Sequence, residues 1–206
     1  MFTKKTSLII PTKDRFKLLN KTLKNLKKNR IIFDEIIIVD SSKSVIHEKI
    51  KILSKKLGFK LYKSEASSSL QRNIGINKMK KKNKFFMLLD DDIIIPKKSF
   101  EVMNLEIKSK INKNVVGFGF CLKKRFEKKG LVEILKKTKI VNNLGLYHFK
   151  PGKIMNSGWH TKIEKLEQNY YTDWLPSAAT IYKKKKNFKL RFDTSFGAYS
   201  YLEDLD

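Results

Sequence analysis

Ser7-Leu8-Ile9-Ile10-Pro11-Thr12-Lys13-Asp14-Arg15 is an apolar, β-branched run that breaks off into polar residues. An apolar run without polar alternation suits a strand buried on both faces, as in a parallel sheet, and Pro11 closes it. Residues 14–30 then carry Leu19, Leu23 and Leu26 at helical spacing, with Lys and Asn on the other face. This predicts a surface helix. The unit recurs downstream. Ile36-Ile37-Ile38-Val39 reads as a second strand ending at Asp40, and residues 45–57 as a helix stopped at Gly58. Residues 59–62 read as a third strand, residues 67–82 as a third helix, and Lys84-Phe85-Phe86-Met87-Leu88-Leu89 as a fourth strand running into Asp90-Asp91-Asp92. Strands alternating with amphipathic helices predict βαβ units, hence an α/β fold with a mostly parallel sheet flanked by helices.

Beyond residue 96 the pattern loosens. Residues 99–110 look helical and residues 115–122 look like a strand, whereas residues 123–153 carry only weak helix and turn signals. Residues 174–182 read as a further strand, followed by four consecutive lysines. No internal repeat or low-complexity linker interrupts the chain, so residues 1–206 are read as one domain with an irregular second half.

At 206 residues and 41% hydrophobic composition the chain has enough material for one enzyme-sized core. Its net charge of +26 points toward nucleic acid, anionic lipid or acidic substrates. The positive charge is almost all Lys, however, with Arg only at 15, 30, 72, 125 and 191. Base and phosphate readers usually enlist Arg, whose planar fork binds bidentately, and no nucleic-acid motif accompanies the charge. An A/T-rich coding sequence would favour the same Lys, Asn and Ile. A Lys-rich nucleic-acid-binding module without catalysis is thus the alternative reading, and peripheral contact with an anionic membrane stays open. Cys121 is the single cysteine, which excludes an internal disulfide and a paired-cysteine metal site. The N-terminus lacks the apolar core of a signal peptide, and no run approaches the length of a membrane span. Cytoplasmic residence is the expectation, at most peripheral to the membrane's inner face.

In an open parallel sheet, ligands collect outside the carboxyl ends of the strands. The polar residues at those ends are Thr12, Asp14 and Arg15, then Asp40 and Ser41, then Asp90, Asp91 and Asp92. A lone strand-ending Asp such as Asp40 serves equally well as a turn former or helix cap. Three adjacent carboxylates after a buried strand repel one another and face desolvation, which a hard divalent cation such as Mg²⁺ or Mn²⁺ relieves. His47, His148 and His160 have no ligand-like spacing and are read as packed or solvated.

The residues 7–15, the run Asp34-Glu35-Ile36-Ile37-Ile38-Val39-Asp40-Ser41-Ser42, Gln71-Arg72-Asn73-Ile74-Gly75 and Leu89-Asp90-Asp91-Asp92 with Pro96 together resemble the family 2 glycosyltransferases of the GT-A fold. Trp174-Leu175-Pro176-Ser177-Ala178-Ala179, Phe192-Asp193 and Leu202-Glu203-Asp204-Leu205-Asp206 continue the match in family order. The resemblance implies a Rossmann-like nucleotide-sugar-binding half over residues 1–96 and an irregular acceptor-side half over residues 97–206. It implies that Pro11, Thr12, Asp14 and Arg15 begin the nucleotide pocket, that Asp40 contacts the base or ribose, and that Arg72 approaches the nucleotide or its diphosphate. Asp90 and Asp91 join this donor site. The acidic triplet matches the metal motif in two alignments, of which we take Asp92 and Asp90 as the metal pair. Glu203-Asp204 match the acidic pair whose Asp is the base of inverting members. The expected reaction is inverting sugar transfer from a nucleotide diphosphate to a saccharide or lipid-linked acceptor, as in bacterial surface polysaccharide or glycolipid synthesis. Ser177 stands where many members carry Gly, and members continue past the acidic pair, so a short member or a fragment is expected.

Overall fold

The computed structural model describes residues 2–110, 114–122, 141, 144, 148–156, 158–163, 166, 168–184 and 190–195. Two compact units divide the chain, one formed by Met1–Phe118 with Ser177–Asp206, the other by Gly119–Pro176.

The first unit is built on a six-stranded sheet in the order β3-β2-β1-β4-β6-β5. Its strands are β1 (Thr6–Thr12), β2 (Glu35–Asp40), β3 (Lys60–Lys63), β4 (Phe85–Leu89), β5 (Gly117–Gly119) and β6 (Ala179–Lys183). Pairs β1/β2, β1/β4 and β2/β3 are parallel, and β6 runs antiparallel to β4. The central strands are apolar because helices cover them. Leu8, Ile9, Ile10, Ile37, Ile38, Val39, Met87 and Leu88 are wholly buried, each contributing roughly 1.5–3 kcal/mol of transfer free energy. Helices α1 (Phe16–Lys28), α2 (Ser44–Leu57), α3 (Ser68–Lys78) and α4 (Lys97–Lys110) complete the unit. α1 turns Leu19, Leu23 and Leu26 inward, as their spacing predicts. α2 ends at Gly58, whose left-handed φ of 72° suits glycine. Among the described residues no helix is long and apolar enough to cross a membrane.

Several boundaries differ from the sequence reading, each for a visible reason. β1 does not close at Pro11 but runs through it to Thr12, which pairs in register with Asp40. α3 stops at Lys78, four residues short of the expected end. There the Lys80 backbone N–H is captured by Glu35 Oε1 at 2.6 Å and its Nζ by the Asp34 carbonyl at 3.1 Å. The strand expected over residues 174–182 is instead Ala179–Lys183, starting beyond Pro176, which has no N–H to give a ladder, and running one residue further. Most of residues 123–153 lies outside the described residues.

In the second unit, Thr161 ties a small hairpin: its hydroxyl accepts from the Lys153 N–H at 2.8 Å and donates to the Lys150 carbonyl at 2.7 Å. Ile154 bridges His160, and the His160 ring lies edge-on to Trp174 at 5.0 Å.

At the amino edge of the sheet, buried Glu35 accepts from Ser7 Oγ at 2.6 Å, Lys60 Nζ at 2.8 Å and the Lys80 N–H. Burial pushes its carboxyl up, but the donors from Lys60, Ser7 and Lys80 outweigh burial and hold it below the ordinary glutamate range. A depressed carboxyl stabilises the fold above its unfolded titration and loses that contribution as pH falls through its folded one. Glu35→Gln is therefore expected to lose about 1–3 kcal/mol at pH 7 and to show a shallower fall in stability on acidification, read by urea unfolding at stepped pH.

Candidate functional site

The carboxyl edge of the same sheet gathers the candidate residues at the ends of β1, β2 and β4. Thr12 Oγ1 donates to Asp91 Oδ2 at 2.6 Å in a buried contact joining the loops after β1 and β4. Thr22 of α1 donates to the Asp91 carbonyl at 2.8 Å, fixing the triplet's backbone from below. Arg15, half-exposed, places NH1 at 3.4 Å from Asp91 Oδ1 and 3.3 Å from Asp92 Oδ2. Pro11 and Thr12 end β1 as the sequence reading requires, and Asp14 follows with a φ of 56°, unusual for a residue with a side chain. Two bonds hold it there: its N–H donates to Ser42 Oγ at 2.7 Å, and its Oδ1 accepts the Lys43 N–H at 3.0 Å.

The acidic triplet is divided by its surroundings. The Asp91 side chain is 5% exposed, against 34% for Asp90 and 42% for Asp92. Burial pushes the Asp91 carboxyl up, opposed by the Thr12 hydroxyl and the Arg15 charge. Asp91 is thus buried among protein partners, whereas Asp90, paired with Arg72, and Asp92, paired with Arg15, each keep part of the side chain exposed. Among the described residues no group of three or more His, Cys, Asp or Glu side chains converges on one point. Two partly open carboxylates fit a hard divalent cation that completes its shell with substrate phosphates.

Arg72 crosses from α3 to this edge. Its side chain is 6% exposed, with NH2 at 3.1 Å from Asp90 Oδ1 and the guanidinium carbon 5.6 Å from the Phe192 ring centroid. Neighbouring Asn73 clamps the Phe192 backbone with a bond in each direction, 2.8 and 2.9 Å. Gln71 donates to the carbonyls of Thr12 and Val39 at 2.9 and 2.7 Å, pinning the ends of β1 and β2. α3 comes this close because Gly75 faces Ile9: a Cβ there would lie 2.3 Å from Ile9 Cγ2. Asp90 is seated by its N–H bond to the Ala178 carbonyl at 2.9 Å. Glu203 and Asp204 lie outside the described residues.

Asp40 is wholly buried, bonded to Ser42 and, at 2.6 Å, to His47 Nδ1. The sequence reading gave no individual site role to Thr22, Ser42, Gln71 or Asn73, the last three quoted only within the family motifs, and read His47 as packed or solvated. Gln71 and Gly75, four apart, share the helix face that meets the sheet, which is a legible signal. His47 lies seven residues past Asp40, a distance that gives no hint until α2 folds back toward β2.

A mostly parallel sheet with acidic and basic side chains gathered at its carboxyl edge makes this an α/β domain of the open-sheet kind, in which ligands are taken at that edge. The glycosyl transferase family 2 profile matches residues 7–199. The chain belongs to glycosyltransferase family 2. No curated protein matches the chain significantly. Among solved structures it is similar to residues 1–349 of S. aureus TarS, with 19% identity over 60% of this chain and 38% of that one, at a TM-score of 0.47. Mannosyltransferase PcManGT from Pyrobaculum calidifontis, in complex with GDP-Man and Mn²⁺, aligns with 17% identity over 58% of this chain and 36% of its own, at 0.46. Glucosyl-3-phosphoglycerate synthase from Mycobacterium tuberculosis, in complex with UDP, aligns with 12% identity over 58% and 45%, at 0.42. The chain thus spans less than half the length of each.

A carboxyl titrating above its ordinary range costs the fold stability as pH rises from its unfolded to its folded titration, and the cost persists above. Asp91→Asn keeps an acceptor for Thr12 and removes that charge. The variant is expected to be more stable than the wild type at pH 7 by up to about 1 kcal/mol, the difference vanishing near pH 3, as read by thermal unfolding.

Proposed function

We propose that this chain is a catalytic domain that moves a sugar from a nucleotide diphosphate to an acceptor hydroxyl with inversion. The observation that carries the reading is the meeting of Arg15 and Arg72 with the open carboxylates Asp90 and Asp92 at the carboxyl edge of a family 2 sheet. Arg72 is suited to the diphosphate: it is held by Asp90 and the Phe192 ring, so little side-chain freedom is lost on binding. Pro11, Thr12 and Asp14 shape the adjoining wall through fixed backbone, which suits nucleoside contact. Asp92 and Asp90 would hold Mg²⁺ or Mn²⁺, which neutralises charge developing on the leaving diphosphate.

In the reaction, the acceptor oxygen bonds to the anomeric carbon while the bond from that carbon to the diphosphate oxygen breaks, and the diphosphate leaves with the electron pair. Asp204, beside Glu203, takes the acceptor's proton. A positioned general base is worth about 10²–10⁴-fold. A saccharide or lipid-linked acceptor of bacterial surface polysaccharide or glycolipid synthesis fits this chemistry. Cytoplasmic residence, with the Lys-rich surface against an anionic membrane, supplies such an acceptor at the inner face.

Two variants test separate parts of this reading. Asp92→Ala is expected to abolish the Mn²⁺-dependent thermal stabilisation by nucleoside diphosphate, which is about 2.7 kcal/mol for the wild type at 100 times the dissociation constant. Asp204→Asn is expected to keep that stabilisation and lose 10²-fold or more in sugar transfer. Unchanged stabilisation in Asp92→Ala removes the metal assignment, and unchanged transfer in Asp204→Asn removes the base.

A further inference from the structure

The family resemblance gives Asp40 a contact with the nucleotide base or ribose, yet the side chain is wholly buried and both carboxylate oxygens are engaged. Oδ1 accepts the Ser42 N–H at 3.0 Å and the Ser42 hydroxyl, and Oδ2 meets His47 Nδ1 at 2.6 Å. A carboxylate so enclosed acts on a ligand only through a neighbour.

The proton positions follow from the chain of donors. The Asp14 N–H donates to Ser42 Oγ, so the Ser42 hydroxyl hydrogen is available to Asp40 Oδ1. Asp40 then accepts on both sides, and His47 Nδ1 carries the hydrogen of their shared bond. In a neutral imidazole this leaves Nε2 as an acceptor. His47 is the fourth residue of α2, directly after the carboxyl end of β2, where Thr12, Asp40 and Lys63 lie in register on three parallel strands. Its side chain is 17% exposed, so the imidazole and not the carboxylate reaches the surface here. The same donor chain holds Asp14 in its left-handed conformation, which ties the imidazole's tautomer to the shape of the loop after β1.

We propose that His47 Nε2 reads the base of the donor nucleotide by accepting a hydrogen bond from a ring N–H, with Asp40 as the positioning residue that sets the tautomer. The inference rests on the nucleotide-sugar reading above and adds a base class to it. A fixed acceptor selects a base with an imide or lactam N–H, as in uracil, thymine or guanine. Cytosine places a lone pair at the equivalent ring nitrogen, so acceptor faces acceptor and the contact is repulsive.

The test is calorimetric binding of UDP, CDP and N3-methyl-UDP with Mn²⁺ at mildly alkaline pH. Wild-type protein is expected to prefer UDP over both others by about tenfold, the order of one hydrogen bond with its unpaired alternative. His47→Ala is expected to bind UDP and CDP within about threefold of each other. His47→Gln, whose amide offers either a donor or an acceptor, is expected to bind both with affinity restored toward that of wild type for UDP. Asp40→Asn is the sharper arm: its amide N–H donates to Nδ1, the ring proton moves to Nε2, and the preference is expected to reverse toward CDP. A purely structural Asp40 would weaken all three ligands together. An unchanged preference for UDP in His47→Ala overturns this inference alone, and a retained preference in folded Asp40→Asn overturns the tautomer mechanism. Wild-type protein that binds none of the three overturns the functional reading, and the inference with it.

Discussion

The hydrogen bond from Thr12 Oγ1 to Asp91 Oδ2 is the contact on which the layout of the acidic edge depends. It joins the ends of two central parallel strands in a buried place, where a hydroxyl and a carboxylate left unpaired would each be costly. Asp91 is taken up there, while Asp90 and Asp92 on either side of it stay partly exposed. Arg72 then has a partner in Asp90, and Arg15 bridges toward Asp92. A single short bond thus converts three like charges in a row into one buried anchor flanked by two groups open to ligands.

The two edges of the sheet handle charge differently. At the amino edge, Glu35 is met by donors from Ser7, Lys60 and Lys80, which leave the carboxylate buried and paired. That is a structural arrangement, and it also sets where α3 ends. At the carboxyl edge, Asp90, Asp92 and Arg15 keep part of their surface in solvent, and Asp14 holds a backbone conformation that the loop after β2 must enforce. Partly exposed ion pairs and backbone held away from its preferred region concentrate on one edge of the sheet, whereas Glu35 at the other edge is buried among its donors. Such asymmetry is characteristic of ligand sites.

α3 connects the sheet to the site. Gly75 lets the helix lie against Ile9, and this close approach brings Gln71 onto the carbonyls of Thr12 and Val39, Arg72 toward Asp90, and Asn73 onto the Phe192 backbone. The Gln71-Arg72-Asn73-Ile74-Gly75 stretch works as one device whose parts are fixed by a single contact without room for a methyl group. Read as a sequence, it was a family motif inside a predicted third helix, and only Arg72 was given a role there.

The sequence by itself determined the four parallel strands, the amphipathic face of α1, the glycine stop of α2 and the grouping of polar residues at one sheet edge. All of these follow from local periodicity and from the placement of strand ends, which one-dimensional patterning encodes directly. It also carried the family motifs in order. Only the tertiary structure decided which carboxylates are open and which are consumed, because that depends on partners far apart in the chain: Thr12 for Asp91, Arg72 for Asp90, His47 for Asp40. It likewise placed α3's early end, set by Glu35 from another strand, and the antiparallel insertion of β6 beside β4. Burial and hydrogen-bond satisfaction are properties of the assembled neighbourhood, so the chemical state of each acidic residue was settled by packing and not by its own stretch of sequence.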